Sequence, residues 1–201
     1  MPVGRYNVIG DDGSEVGTED FRCAPGPAGW RYVSEIDTNE YRPHRASVDV
    51  AVDSAWRIAR VRVETQEHRL LLEPRDGSLE GALDAEPLAV AWGPQDHLDY
   101  LTPATNLITC RRLGESAEID VVYVDQHTLE PTRERQRYEL LGPDEAETPV
   151  GRFAADRWLY TSLGSGWTSR LWVAGDVVVR FDRIFELVRY EPGASGPTPI
   201  A

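Results

Sequence analysis

Lysine is absent from the 201 residues, so all 21 basic side chains are arginines. That excludes a P-loop lysine, a Schiff-base lysine and a Ser-Lys dyad. Basic charge is scarce altogether, with 34 acids against those 21 bases and a net charge of −13. Phosphate backbones and anionic membranes both require basic surface, so neither nucleic acid nor a membrane is expected as a partner. Cysteine is limited to Cys23 and Cys110, too few for a disulfide framework or a C-x-x-C zinc site. Two reduced thiols are the expectation, with one bridge as the alternative. The four histidines, His44, His68, His97 and His127, are scattered, so no metal site is expected. No G-x-S-x-G, H-E-x-x-H, G-x-G-x-x-G or Walker A segment occurs, and no cofactor is expected. No apolar run approaches the roughly 18 residues that span a bilayer. The segment Met1–Tyr6 lacks the basic-then-apolar order of a secretory signal. A cytoplasmic protein, monomeric or weakly dimeric, is therefore expected.

What is present is alternation. Val48, Val50 and Val52 alternate with Ser47, Asp49, Ala51 and Asp53, as in a half-buried strand. Trp56 to Thr65 repeats the pattern, with Ala59, Val61, Val63 and Thr65 on one face. Ile119, Val121 and Tyr123 recur at spacing two. Arg133, Arg135 and Arg137 alternate with Glu134, Gln136 and Tyr138. The arginine face reads as solvated and paired with acids across the sheet. Arg170–Ala174 and Val177–Phe181 flank Gly175-Asp176, a two-residue hairpin turn. Only Ala154–Leu159 suggests a short helix, and Leu83–Ala104 reads as a long connection. Many strands with turns about every 8–12 residues predict an antiparallel sandwich, roll or barrel in one domain.

Polar residues on apolar faces are the candidates for function. Arg57 shares the parity of Ala59, Val61 and Val63. It either lines the interior, where it must be paired or hold an anion, or reaches solvent at the strand start. Asp96, His97 and Asp99 form either a weak metal or acid–base cluster or a solvated loop. Thr102-Pro103-Ala104-Thr105-Asn106 joins turn-forming and backbone-bonding residues. The following Leu107–Leu113 reads as a strand, on which one of Arg111 and Arg112 must face inward. The segment is thus either a structural corner or the polar end of a pocket.

That Pro-Ala-Thr-Asn corner, with Arg111-Arg112-Leu113 after it, resembles the signature of the glycolipid-binding family of bacterial proteins. Trp56-Arg57, Gln136-x-Tyr138 after Leu129-Glu130-Pro131, and Asp176–Val179 followed by Phe181 are similar to the family's other segments, in the same order. The similarity covers about residues 30–190. Thr109-Cys110 departs from the family's Pro-Ile, and Phe181-Asp182 from its Tyr-Pro. The resemblance implies a mainly β protein, a single antiparallel β-roll or open barrel (a spiral β-roll) with few short helices. Residues 1–190 would form the roll, residues 5–22 an extra N-terminal hairpin, and residues 191–201 a mobile tail.

The resemblance also implies an apolar cavity for a small amphipathic, lipid-like or glycolipid-like ligand. Six Trp and eight Tyr suit such a ligand, each offering an apolar face and one polar atom. Trp56, Arg57, Thr102, Thr105, Asn106, Arg111, Arg112, Gln136 and Tyr138 are the expected ligand contacts, with an arginine meeting an anionic or hydroxylated head. The alternative is a cofactor-free cyclase or isomerase of a bacterial natural-product pathway in the same cavity. Asp99, Tyr100, Glu134 and Tyr138 would be its acid–base candidates.

Overall fold

The computed structural model describes residues 1–26, 28–39, 44–194 and 196–200. Fifteen strands form one sheet. They are β1 (Val3–Ile9), β2 (Glu15–Gly26), β3 (Gly29–Thr38), β4 (His44–Asp53), β5 (Ile58–Thr65), β6 (Arg69–Arg75), β7 (Ser78–Leu83), β8 (Glu86–Ala91), β9 (His97–Asp99), β10 (Ala117–Val124), β11 (Pro131–Thr148), β12 (Gly151–Ser162), β13 (Thr168–Ala174), β14 (Val177–Phe181) and β15 (Phe185–Glu191). One helix, α1 (Pro103–Leu113), lies between β9 and β10.

The strand order runs β8 to β1, then β15 down to β9. Both chain ends therefore meet at the middle of the sheet, where β1 pairs antiparallel with β15. The N-terminal hairpin of β1 and β2 occupies that middle. The two outer edges, β8 and β9, are joined by only Trp92–Asp96. The six chain steps from Ala91 to His97 reach about 21 Å, whereas fifteen flat strands would hold the edges about 67 Å apart. The sheet must curl until its edges approach. Arg133 on β11 accordingly reaches the Ala91 carbonyl on β8, at 3.1 Å. The edges do not pair with each other, so the roll stays open.

A curled sheet encloses an interior, and strand alternation decides what fills it. Val48, Val50, Val61, Val63, Leu70, Leu72, Val121 and Leu171 all face inward and are buried. The arginine face of β11 points outward, where Arg135 and Arg137 both pair with Glu118, at 3.0 and 2.5 Å. Gly175-Asp176 forms the two-residue turn between β13 and β14. Cys23 and Cys110 are buried free thiols. Of the last residues, Ser195 and Ala201 lie outside the described ones, while the Ile200 N–H donates to the Arg152 carbonyl at 2.7 Å.

Four expectations are corrected. Leu107–Leu113 is helix, not strand. Its β-branched residues favour a strand, but the caps at its ends decide otherwise. Thr102 is the N-cap in extended conformation, Pro103 opens the helix, and Gly114 closes it at φ 65° with its N–H on the Cys110 carbonyl. Arg111 and Arg112 sit in the last turn, where they complement the helix dipole. Secondly, Ala154–Leu159 is part of strand β12. Thirdly, Leu83–Ala104 is no long connection, since it holds β8 and β9. Finally, Ala59 does not share the inward face of Val61 and Val63: a register shift where β4 meets β5 puts Ile58 inside and leaves Ala59 exposed, and Arg57 takes the solvent-facing one of its two readings. The parity that placed Arg57 with Val61 breaks at that bulge.

Pro103 to Cys110 are all buried, so α1 is covered all round. It threads the interior of the roll instead of lying on its surface. Leu107 is only 2% exposed. Leu107→Ala should lower the unfolding free energy by about 2–5 kcal/mol. Leu71→Ala, on the outer face, should change it by about 0.5 kcal/mol or less. Urea denaturation followed by tryptophan fluorescence checks both.

Candidate functional site

The N-terminal end of α1 carries two buried polar clusters. In the first, Glu19 on β2 is fully buried, and its Oε1 accepts from Tyr32 Oη at 2.8 Å and Thr102 Oγ1 at 2.6 Å. Thr102 thus serves the helix with its lone pair and the sheet with its proton. Burial pushes the Glu19 carboxyl up to about 7, against the pull of the hydrogen bonds from Thr102 and Tyr32.

The second cluster centres on half-buried Asp99. Asn106 Nδ2 donates to Tyr138 Oη at 2.8 Å, Tyr138 Oη to Gln136 Oε1 at 3.4 Å, and Gln136 Nε2 to Asp99 Oδ2 at 2.5 Å. Three donors in series point one way and end on the carboxylate, an arrangement in which each bond polarises the next. Thr105 Oγ1 lies 3.2 Å from Asp99 Oδ1 and 3.1 Å from the Tyr100 and Thr102 carbonyls. Its single proton satisfies one of them at a time. Burial raises the Asp99 carboxyl to about 6, opposed by the Gln136 and Thr105 hydrogen bonds.

Between these clusters and strands β12–β15 lies a cavity of about 130 Å³. Its polar lining is Asp99, Thr102, Asn106 and Gln126. Leu101, Ile184 and aromatic rings from several strands and loops supply the rest, the rings being Tyr100, Tyr123, Tyr160, Trp167, Phe181 and Phe185. Tyr160 stands edge-on to Tyr138, Trp167 and Phe181, with centroids 5.3–6.0 Å apart. Tyr100 is 3% exposed, and its hydroxyl has no partner among the described residues.

The sequence candidates divide between the two ends of α1. Asp99, Tyr100, Thr102, Thr105, Asn106, Gln136 and Tyr138 gather at the N-terminal end, in or directly behind the cavity wall. Glu134 shares their strand face but is exposed. Trp56, Arg57, Arg111 and Arg112 belong to the other end, about 13 Å along the helix from Thr102. There Arg111 lies over the Trp56 ring at 5.3 Å, and Trp56 packs tilted against Trp30 with ring centroids 5.3 Å apart. Arg112 donates to the Asp96 carbonyl at 2.6 Å and to the Pro94 carbonyl. The expectation that one of these arginines faces the interior rested on a strand and falls with it.

Asp96, His97 and Asp99 do not converge either. Asp96 pairs with Arg133 and accepts from the Gly93 N–H. Buried His97 meets Thr109 Oγ1 at 3.2 Å, and burial lowers its imidazole to about 4, leaving it neutral. Among the described residues no cluster of three or more His, Cys, Asp or Glu fits a metal ion.

Sequence reasoning missed Tyr123, Gln126, Tyr160, Trp167, Phe181 and Phe185 as cavity residues. They come from separate strands and loops, so no local pattern unites them. The count of aromatics was the one available signal.

Comparison with known proteins follows the fold. Residues 11–163 match the model of a family described as "Putative glycolipid-binding". The crystal structure of a DUF1089 family protein from Pseudomonas aeruginosa is similar, with a TM-score of 0.60 and 22% identity, over 84% of this chain and 91% of that one. A beta-barrel-like protein of the domain of unknown function DUF1849 from Brucella abortus has a TM-score of 0.55 and 14% identity, over 94% of this chain and 96% of its own. At these identities the likeness is one of fold. No curated protein matches the chain.

Two measurements test the electrostatics. An unfolded glutamate ionises near about 4.3 and folded Glu19 near 7. Stability from the buried neutral form is complete at low pH and is lost as pH rises through 7. Glu19→Gln keeps both acceptor contacts, so its stability relative to wild type should increase from pH 5 to pH 8 in paired denaturation curves. Gln136→Leu removes a donor to Asp99. It should raise the Asp99 titration midpoint above 6 in carboxyl NMR.

Proposed function

Because the chain belongs to the putative glycolipid-binding family, we propose that it binds an amphipathic, lipid-like or glycolipid-like small molecule, without converting it, at the N-terminal end of α1. One observation carries this reading: an aromatic-lined cavity with a few convergent polar groups opens beside the buried N-terminal end of α1. Thr102, Asn106, Asp99 and Gln126 orient the ligand. Tyr123, Tyr160, Trp167 and Phe181 pack against its apolar part. Gln136, Tyr138 and Thr105 stand behind, fixing Asp99 and Asn106.

Size limits what enters. About 130 Å³ is near the volume of a cavity that holds one benzene, roughly 150 Å³. The cavity therefore takes one compact group of the ligand, and the remainder of the molecule extends out of the mouth. A binder fits the lining better than an enzyme, because of the four acid–base candidates only Asp99, raised to about 6, is poised for proton transfer, and it has no second group to work with among the described residues. Tyr138 Oη is engaged by Asn106 and Gln136, burial moves the Tyr100 and Tyr138 phenols further from ionisation, and Glu134 is exposed.

Native mass spectrometry of freshly purified protein, with mass analysis of the organic extract, tests the reading. A stoichiometric amphiphile, recovered unchanged after incubation, is the expected result. Tyr160→Ala should lower its occupancy at least tenfold, while Arg111→Ala should leave it unchanged. Conversion to an isomer would overturn the binder in favour of an enzyme. Equal loss in both variants would move the ligand away from the cavity.

A further inference from the structure

The chemistry of the cavity wall goes further than an amphipathic ligand, although it rests on the reading that the cavity is the ligand site. No arginine or histidine lines the cavity. Its one charged group is Asp99, which accepts from Gln136 and Thr105 but has no ion-pair partner among the described residues. Even a half-buried carboxylate without a counter-charge carries a desolvation cost. Facing Asp99 are Glu134 and Tyr138 of β11, Tyr123 of β10 and Tyr160 of β12, none of which supplies a positive charge. Glu134 disfavours the Asp99 anion further.

Several independent features suit a small cationic head. Tyr123, Tyr160 and Phe181 present aromatic rings, whose faces attract positive charge, while the Trp167 ring already carries the Arg183 guanidinium at 5.8 Å. The Tyr100 hydroxyl, buried and without a partner, offers a lone pair to an N–H donor. The volume suits a small head and not a large one. Beside the cavity that accommodates benzene, a hexose with its hydroxyls, about a dozen heavy atoms, is too large. An ammonium or trimethylammonium group is not. The net charge of −13 draws cations toward the molecule and repels anionic heads.

We propose that the group entering this cavity is an ammonium head carried on an apolar chain, paired with the Asp99 carboxylate and enclosed by the aromatic rings. Below about pH 6 a proton takes the place of that cation in the free protein, since burial raises the Asp99 carboxyl to about 6. Binding the ammonium displaces the proton. Affinity therefore rises with pH as Asp99 ionises, and at pH 6 binding releases protons to the buffer.

Four probes of equal chain length test this on the full chain: octylammonium, octyltrimethylammonium, octyl glucoside and octyl sulfate. Binding is read by calorimetry and Trp167-dependent fluorescence at pH 5 and pH 8. Both ammonium probes should bind at least tenfold tighter than the glucoside, and the sulfate weakest. Their affinity should increase from pH 5 to pH 8. Asp99→Asn should lose about tenfold for the ammonium probes, leave the glucoside unchanged and flatten the pH profile. Wild-type titration at pH 6 in two buffers of different ionisation enthalpy should show proton release, which needs no variant to fold. Glucoside binding as tight as ammonium binding, or no proton release, overturns the charged head and leaves the cavity as the ligand site. No binding by any of the four, or binding that Tyr160→Ala and Phe181→Ala do not weaken, overturns the cavity reading and the proposal with it.

Discussion

A helix buried on every side inside a curled sheet is the constraint from which the rest of this molecule follows. The curl comes from connectivity. Both chain ends lie in the middle strands, and the outermost strands are joined by five residues, so the sheet closes toward itself. An interior that wide is too large for strand side chains alone to fill. Helix α1 fills it, and eight consecutive buried residues record the fit. The cavity beside Tyr160 is the space that α1 and the inward aromatic rings leave unfilled.

A helix inside a sheet must be fixed at both ends, and each end uses different chemistry. At the N-terminus the Thr102 hydroxyl caps α1 and donates to buried Glu19. At the C-terminus Arg111 lies over Trp56, while Arg112 bonds the carbonyls of the β8–β9 link. The buried end uses a group that can be neutral, and the half-exposed end uses permanent charge. That division follows the cost of desolvation: a carboxyl pushed up to about 7 can take a proton, whereas a guanidinium cannot lose one. The relay from Asn106 through Tyr138 and Gln136 to Asp99 adds a further tie between α1 and strands β9 and β11.

The strands were legible because burial on one face writes itself as period-two alternation. Val48, Val50 and Val52 needed no other information, and Gly175-Asp176 marked its own turn. The arginine face of β11 was readable for the same reason. Helix α1 was not legible from its interior, since Ile108, Thr109 and neighbouring Thr105 favour extended backbone. Its boundaries were written in the caps, Thr102-Pro103 and Gly114, and a fully buried helix has no amphipathic stripe to reveal it. Strands β8 and β9 are short edge strands with little alternation, so they resembled a connection. The bulge at Ala59 broke a parity that had looked continuous, and with it the inward placement of Arg57.

The cavity was half legible. Thr102, Thr105, Asn106, Gln136 and Tyr138 stood out as polar residues among apolar neighbours, and they do meet in space. Their shared location depends on α1 being a helix. On a strand, Thr105 and Asn106 would face opposite sides, whereas on α1 their side chains reach Asp99 and Tyr138 from one turn. The same geometry separates them from Arg111 and Arg112. Residues that a strand would have brought to one pocket are divided by a helix into an aromatic end, where Asp99 stands, and a cationic end. The sign of the cavity follows from that division. Once Arg111 and Arg112 are about 13 Å away along α1, Asp99 stands as the charged group on the cavity wall.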